Sequence, residues 1–375
     1  MEVHSHVNKN LKVFILFASY GEGHLQASKA LQHAFGRNGI SQVELIDLFA
    51  EAHPMINDIT KYLYMKSFTV LPSLYGWIYY RTKHMKPHTV FSDWLHSFGI
   101  RKLKERIQAE SPDIVINTFP FLVMQKLKEE TGIDIPTYNV LTDFDLHERW
   151  VHPQIDKYYV ATEDLKLQVE KLGIPSQRIH VSGMPLKESF SSRSDAAECY
   201  RKFGLDPKYN TLLIMAGSYG IMQGIHSICA KLAERKDTQI ALVCGKNKFL
   251  LAYMQKVFAN HPHVHVYGFV HDICDLMAIS TCIVTKPGGI TLSESLSSNL
   301  PILLYRPVPG QELDNARYLV SKGAAVIAHK PKALAYQLEL LLQDAKRLDR
   351  MRQSIAALQK TNSADNIVLD ILNSV

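Results

Sequence analysis

The stretch CIVTKPGGITLSE, residues 282–294, decides the fold class. It begins with a short apolar run at 282–285, turns through two glycines, and continues into a segment with helical periodicity. The same alternation recurs along the chain. The predicted strands are 12–18, 41–48, 114–117, 137–141, 158–161, 211–216, 239–244, 264–267, 282–285, 302–305 and 325–328. Short, nearly continuous apolar strands separated by helices are typical of parallel sheets covered on both faces. We therefore expect an α/β fold with two doubly wound domains.

The boundary between the two domains is expected in the segment 182–194. Glycine, proline and five serines interrupt both the strand and the helix patterns there. This division gives a first domain of residues 1–183 and a second of residues 184–375. Ligands of open α/β sheets bind beyond the carboxyl ends of the strands, so the loops that follow the strands are where functional residues are expected.

Charge excludes one class of partner. The net charge of +6 arises entirely in the second half, since residues 1–185 hold 20 Lys+Arg and 20 Asp+Glu, whereas residues 186–375 hold 22 and 16. This excess is too small for a nucleic-acid-binding surface, and it fits an anionic small ligand such as a nucleotide diphosphate. The 46% hydrophobic content is that of an ordinary globular protein.

The cysteines and apolar runs indicate a cytoplasmic chain. The five cysteines are odd in number and form no C-x-x-C pair, which predicts buried free thiols. The first apolar run is followed by Gly-Glu-Gly-His rather than by a cleavage site, and no run approaches the roughly 20 apolar residues that span a bilayer. Any membrane contact is therefore expected to be peripheral.

The glycines after the strand at 282–285 suggest a phosphate site. Gly288, Gly289 and Thr291 open a helix, and the amides and dipole of such a helix start attract phosphate oxygens. The alternative is that Thr291 and Glu294 form a capping box, which would need no ligand.

The loop after the first strand, SYGEGH at 19–24, places a histidine at a helix start. A dinucleotide fingerprint would need glycine at position 26, which holds Gln26, so an oxidoreductase is disfavoured. Asp47, near the end of the second strand, nevertheless matches the acid that binds the ribose in that fingerprint. His24 could instead take a proton from a substrate hydroxyl. The alternative is a histidine that only packs at the helix entry.

Two further loops carry polar residues. The segment TDFDLH at 142–147 holds the D-x-D pattern of many metal-dependent glycosyltransferases, but we expect Asp143 to orient or deprotonate an acceptor and Asp145 and His147 to cap or coat the next helix. Gln311 and Asn315 share a helix face, which suits a polyhydroxylated ligand or, alternatively, a solvated first turn. Three histidines, at 261, 263 and 265, are expected on one face of an edge strand in contact with solvent, rather than around a metal.

An acid-free segment, residues 59–92, is the most unusual part of the first half. It carries eight aromatic residues and the cations Lys61, Lys66, Arg81, Lys83 and Lys86. Aromatic rings among cations are typical of a segment that lies on anionic lipid. A buried aromatic helix with a charged rim would look similar.

Taken together, these motifs resemble glycosyltransferase family 28, the enzymes that make glycoglycerolipids, and particularly the bacterial processive diacylglycerol glucosyltransferases and plant monogalactosyldiacylglycerol synthase. The resemblance covers nearly the whole chain. It rests on YGEGH at 20–24, INTFP at 116–120, LTDF at 141–144, MAG at 215–217, VCGKN at 243–247, TKPGGITLSE at 285–294 and RPVPGQE at 306–312.

The resemblance implies a GT-B architecture, with a lipid acceptor in the first domain and a UDP-sugar in the second. His24 and Asp143 would lie across the cleft beside the acceptor, and the last helix, 364–374, would return to the first domain. The residues implied for the donor are Gly217, Ser218, Gly288, Gly289 and Thr291 for the diphosphate, Glu294 for the ribose, Phe269 and Val270 for the uracil, and Gln311, Glu312 and Asn315 for the sugar hydroxyls.

The implied activity is the inverting transfer of glucose from UDP-glucose to diacylglycerol, or to the resulting glycolipid, without a metal or other cofactor. The enzyme would act on the inner face of the cell membrane and dock through residues 59–92. The alternatives are a UDP-galactose-dependent synthase, a UDP-sugar-sensing regulator without turnover, and a UDP-N-acetylglucosamine 2-epimerase.

Overall fold

The computed structural model describes residues 10–19, 21–52, 71–84, 99–192, 194–220, 222 and 224–374. The chain forms two compact units. The first consists of Met1–Glu188, Pro309–Gln311 and Lys360–Val375, and the second of Ser189–Val308 and Glu312–Gln359. Each unit contains a six-stranded parallel sheet, which confirms the predicted fold class.

The first sheet has the strand order β2-β1-β3-β4-β5-β6. Its strands are β1 Lys12–Phe17, β2 Gln42–Asp47, β3 Ile114–Asn117, β4 Thr137–Val140, β5 Lys157–Val160 and β6 Ile179–Val181. Among the described residues, the helices that precede the unit boundary are α1 Glu22–Arg37, α2 Leu48–Ala52, α3 Pro72–Lys83, α4 Ile100–Glu110, α5 Val123–Thr131 and α6 Glu163–Glu170. The sequence patterns miss β6, because three residues containing a histidine are too short to form an apolar run.

The side chains of β1 alternate between two apolar layers, as the pleat of a strand requires. Val13 and Ile15 belong to a cluster with residues of α1, whereas Phe14 and Leu16 belong to a cluster with residues of α4 and α5. All four side chains are fully buried. The first sheet is therefore covered on both faces.

The second sheet has the order β12-β11-β10-β7-β8-β9. Its strands are β7 Asn210–Met215, β8 Thr238–Val243, β9 Val264–Tyr267, β10 Cys282–Thr285, β11 Ile302–Tyr305 and β12 Ala325–Ala328. The remaining helices are α7 Ala196–Phe203, α8 Ile225–Ala233, α9 Lys248–Val257, α10 Ile273–Ala278, α11 Gly289–Ser297, α12 Gln311–Ser321, α13 Pro331–Gln343, α14 Ala345–Leu358 and α15 Ser363–Leu372.

The strand orders locate one crevice in each unit. In a doubly wound sheet the ligand crevice forms where the order reverses direction. That point lies between β1 and β3 in the first sheet and between β7 and β10 in the second. The loops that follow these four strands are those in which the sequence places His24, Thr118, Gly217 and Gly288.

The last helix, α15, packs in the first unit against α1. Its residues Ile367, Val368 and Ile371 are fully buried in the cluster that contains Val13 and Ile15. Asp370 fixes the helix further, since its Oδ2 accepts a hydrogen bond from the Tyr159 hydroxyl at 2.6 Å. The end of the chain is thus part of the core of the first unit.

All five cysteines are buried free thiols, as predicted. Burial raises the pKa of the Cys229 thiol to about 12 and that of Cys244 to about 11. Within the part of the chain that the structure describes, no helix combines the length and the apolar character needed to cross a bilayer.

Candidate active site

His24 lies in the first turn of α1, which begins at Glu22 rather than at residue 25 as the pattern suggests. Its Nδ1 is 2.7 Å from the carbonyl oxygen of Thr118 and 3.1 Å from Oγ1 of Thr142. Because a carbonyl oxygen can only accept, Nδ1 carries the hydrogen and Nε2 holds the lone pair. Nε2 makes no hydrogen bond to any residue that the structure describes.

The surroundings of His24 keep the imidazole neutral. Burial lowers the pKa of His24 below its ordinary value, and the nearby Asp143 carboxylate and the Thr118 carbonyl only partly oppose this shift. The ring also makes an edge contact with Phe119, with centroids 5.1 Å apart. A neutral imidazole with a defined tautomer can accept a proton from a hydroxyl placed at Nε2.

The ends of three adjacent strands supply the groups around this imidazole. His24 follows β1, Thr118 follows β3, and Thr142 and Asp143 follow β4. The Asp143 carboxylate is buried, and its Oδ1 accepts a hydrogen bond from Nε2 of Gln311 at 2.6 Å. Gln311, to which the resemblance assigns sugar hydroxyls, thus contacts Asp143 within the first unit. The supporting roles of Thr118 and Thr142 were not predicted.

The second acid of the D-x-D segment has its own partner. Asp145 forms an ion pair with Lys83 of α3. His147 caps the short 3₁₀ turn Glu148–Trp150, because its side chain accepts from the Arg149 amide. Burial and the nearby cations lower the pKa of His147 to about 3. The predicted capping role is confirmed for His147, whereas Asp145 pairs with a lysine of another helix.

Helix α3 is the described part of the acid-free segment, and it has two different faces. On its inner face, the Tyr79 ring contacts His147 with centroids 5.2 Å apart, and the Tyr80 hydroxyl accepts a hydrogen bond from the Gly310 amide at 3.3 Å. Gly76 lies so close to Pro309 that a Cβ there would collide with the proline ring. The helix therefore joins the loop after β4 to the segment Pro309–Gln311.

The outer face of α3 is apolar and exposed. The side chains Leu71, Leu74, Trp77 and Ile78 are 48–60% exposed, and the Arg81 guanidinium lies over the Trp77 ring at 5.6 Å. Only Gly76 of this helix is buried, so the alternative of a buried aromatic helix is wrong for 72–83. Residues 59–70 and 85–92, with Lys61, Lys66 and Lys86, lie outside the described residues.

In the second unit, the loops after β7 and β8 are packed backbone to backbone. Gly217 has a φ of +77°, a conformation that favours glycine. Gly245 follows β8, and a Cβ there would lie 2.5 Å from the carbonyl oxygens of both Gly217 and Ser218. The Lys246 amide donates to the Ser218 carbonyl at 2.8 Å. The sequence motif at 244–247 thus shapes the loop that contains Gly217 and Ser218.

The loop after β10 opens α11 without a side-chain cap. Gly288 is the N-cap residue and the helix begins at Gly289, so Thr291 lies inside the first turn. The capping-box hypothesis for Thr291 and Glu294 is therefore wrong. The first-turn amides of a helix have no intrahelical partner. A Cβ added at Gly288 would meet no described atom within 4 Å. The space beside Gly288 is therefore open among the described residues.

The first turns of α12 contact that same loop. Oε2 of Glu312 accepts from the Val308 amide at 3.1 Å, and its Oε1 is 3.6 Å from the Lys286 ammonium. Asn315 is 1% exposed, and its Nδ2 donates to the Pro287 carbonyl at 3.3 Å. A solvated first turn is thus wrong for Asn315, which ties α12 to the loop before α11.

Phe269 and the nearby histidines complete the second unit. Phe269 follows β9, is 38% exposed, and lies 5.5 Å from the Lys246 ammonium. The three histidines do not share a strand face as predicted, because β9 begins at Val264 and contains only His265. His263 packs instead on the Tyr209 ring, with centroids 4.5 Å apart. Among the described residues, no group of three histidine, cysteine or acidic side chains could hold a metal ion.

Solved structures with the same architecture define the class. The crystal structure of Acinetobacter baumannii MurG superposes with a TM-score of 0.65 at 15% identity, covering 97% of this chain and all of that one. The UDP-GlcNAc 2-epimerase of Neisseria meningitidis bound to UDP-GlcNAc gives the same TM-score, identity and coverage of the two chains. At these identities the likeness is one of fold. The protein has the GT-B fold of two Rossmann-like domains, as the resemblance implied.

Sequence comparison identifies the family within that class. Residues 24–186 match the family model for monogalactosyldiacylglycerol (MGDG) synthase, and residues 198–357 that for glycosyl transferases group 1. The processive diacylglycerol beta-glucosyltransferase of Bacillus cereus (strain AH187) is 42% identical over 365 residues, which cover 97% of this chain and 94% of that protein. The chain belongs to the processive diacylglycerol beta-glucosyltransferase family, and it is a UDP-sugar-dependent hexosyltransferase. The predicted family is confirmed.

Proposed function

We propose that this protein transfers glucose from UDP-glucose to the free hydroxyl of diacylglycerol, and further to the glycolipid product, with inversion at the anomeric carbon. The observation that carries the proposal is the neutral, oriented imidazole of His24 in a chain of this family. The relatives' name supports glucose as the sugar and diacylglycerol as the acceptor.

The first unit supplies the base. Nε2 of His24 takes the proton of the acceptor hydroxyl while the acceptor oxygen forms a bond to the anomeric carbon. The bond from that carbon to the phosphate oxygen breaks, and UDP leaves with the bonding electrons. Direct displacement inverts the configuration. The Asp143 carboxylate stabilises the imidazolium that forms. Its negative charge already opposes the lowering of the His24 pKa by burial.

The second unit holds the donor. The open amides at the start of α11, with Gly288, Gly289 and Thr291, bind the diphosphate together with Gly217 and Ser218. Preorganised donors of this kind contribute about 3 kcal/mol each to stabilising a developing charge. Glu294 binds the ribose, and Phe269 and Val270 bind the uracil. Gln311, Glu312 and Asn315 bind the sugar hydroxyls.

We propose that the departing UDP needs no metal ion. The start of α11 carries its charge, and the ion pair with Lys83 supports a structural role for Asp145 rather than a role as a metal ligand. The Asp143 carboxylate also has a partner within the protein, since its Oδ1 accepts a hydrogen bond from Nε2 of Gln311.

The acceptor is reached at a membrane surface. We propose that residues 59–92 dock on anionic lipid at the cytoplasmic face of the cell membrane. The exposed apolar face of α3 and the Arg81 guanidinium above Trp77 support this assignment. The Lys83–Asp145 ion pair and the Tyr79–His147 ring contact support a docking element that lies beside the loop after β4.

The test is transfer itself. The protein is incubated with diacylglycerol in anionic vesicles and with radiolabelled UDP-glucose or UDP-galactose, and the lipid products are resolved. The proposal expects label in β-glucosyl diacylglycerol and in a lipid with more than one glucose. Galactolipid as the main product would overturn the choice of donor. Binding of UDP-glucose without any labelled lipid would instead indicate a sensing regulator.

A further inference from the structure

Helix α9 of the second unit carries an aromatic face that points to solvent. Phe249 is 91% exposed, more than any other large hydrophobic side chain that the structure describes, and Tyr253 is 52% exposed. These residues are four positions apart and share a face with Lys256. Met254 lies outside this face, is fully buried, and fixes the inner face of the helix.

The orientation of α9 is fixed by its cap as well as by its core contacts. Oδ1 of Asn247 accepts a hydrogen bond from the Leu250 amide at 2.9 Å and caps the helix start. Phe258, directly after the helix, is also buried. The helix therefore cannot turn its aromatic face inward without losing its own core contacts.

The charged residues of α9 and of the stretch of sequence around it have one sign. No aspartate or glutamate occurs between Asp237 and Asp272, a stretch of 34 residues as long as the acid-free segment 59–92. Lys248 and Lys256 of α9 are both exposed. The neighbouring helix α8 contains no acid, and its exposed His226 lies beside Tyr253, with ring centroids 6.2 Å apart. The helix thus presents two aromatic side chains and two lysines to solvent.

A single exposed aromatic residue is ordinary, and Tyr336 of α13 is an example at 58% exposure. Two aromatic residues on one helix face, flanked by lysines in an acid-free stretch, match the chemistry of an anionic lipid surface. We infer that Phe249, Tyr253, Lys248 and Lys256 form a second lipid-docking face, which belongs to the second unit and is separate from α3.

The position of α9 links this lipid contact to the proposed donor site. The helix follows Gly245 and Lys246, whose backbone packs on Gly217 and Ser218. A lipid contact at α9 therefore anchors the loop that is proposed to hold the donor diphosphate. This link to the donor site rests on the proposed function, whereas the binding of α9 to lipid does not.

The experiment measures vesicle binding of the full chain by flotation. One set of vesicles contains equal parts of phosphatidylglycerol and phosphatidylcholine, and the other only phosphatidylcholine. The double variant Phe249→Ser, Tyr253→Ser is expected to bind the anionic vesicles about tenfold more weakly, because it removes apolar area from the contact. Lys248→Gln, Lys256→Gln is expected to weaken anionic binding by about tenfold or more and to leave binding to phosphatidylcholine unchanged.

Tyr336→Ser is the matched control, since it removes an exposed aromatic side chain from another helix of the same unit, and it is expected to bind as the wild type does. Binding of the Phe249→Ser, Tyr253→Ser variant within twofold of wild type would overturn the inference. A wild-type protein that sediments as a dimer, together with a Phe249→Ser, Tyr253→Ser variant that sediments as a monomer, would also overturn it. The face would then be a contact between copies of the chain.

Activity on detergent-dispersed diacylglycerol separates this inference from the proposed function. Both α9 variants are expected to retain wild-type turnover there, because neither removes a residue of the donor or acceptor site. Wild-type protein that binds vesicles through α9 but transfers no sugar would overturn the proposed function alone.

Discussion

At the scale of single residues, the proposed role of His24 as the base makes its tautomer and charge set the pH range of activity. Burial lowers the pKa of His24, so the neutral, proton-accepting form persists below the ordinary histidine value. We predict that kcat/KM stays constant down to about pH 6.5 and falls only at lower pH, as the imidazole becomes protonated. A profile of kcat/KM between pH 5 and 9 measures this. A decline that begins above pH 7 would contradict it.

Two glycines of the second unit should respond differently to the same substitution. A Cβ at Gly288 meets no described atom and its φ of −73° suits alanine, so we predict that Gly288→Ala leaves stability unchanged and raises the KM for UDP-glucose about tenfold or more. Gly245→Ala places a Cβ against two carbonyl oxygens at a φ of +62°, and it should lower the free energy of unfolding by about 1–3 kcal/mol. Denaturant titration and donor kinetics measure both. Equal stability losses would contradict the assignment of Gly288.

At the scale of elements, the ion pair between Lys83 and Asp145 joins helix α3, which is proposed to dock on lipid, to the loop that carries Asp143. We predict that Lys83→Met lowers kcat on vesicle-borne diacylglycerol several-fold, with little change in the KM for UDP-glucose, because the loop loses its link to α3. Lys83→Arg should restore most of kcat, since it keeps the charge. Failure of arginine to rescue would show that the pairing is not what positions the loop.

The strands are the part of the fold that the sequence alone predicts well. Five strand ranges were predicted without error, 114–117 and 264–267 among them, because buried parallel strands are uninterrupted apolar runs. The contacts of His24 with Thr118 and Thr142 were not predicted, because they depend on which strands are neighbours in the sheet. The pairing of Lys83 with Asp145 was not predicted either, because it joins residues 62 positions apart. The acid-free segment indicates only that cations and aromatic residues occur together.

At the scale of the whole molecule, the chain crosses back into its first unit at its end. Ile367 of α15 is fully buried in the core around β1, so we predict that Ile367→Ala lowers the free energy of unfolding of the first unit by about 2–5 kcal/mol. Leu369→Ala is the matched control, because Leu369 lies on the same helix and is 47% exposed. Denaturant unfolding of both variants measures the difference. Similar losses in the two variants would contradict the packing of α15.

The rate of glucosyl diacylglycerol formation by His24→Ala tests whether His24 accepts the proton of the acceptor hydroxyl. The rate is measured at saturating UDP-glucose and diacylglycerol, with His33→Ala, an exposed histidine of the same helix, as the control. We predict a loss of about 10²–10⁴-fold in kcat for His24→Ala, unchanged UDP binding, and wild-type activity for the control. A kcat for His24→Ala within a few-fold of wild type would contradict the claim.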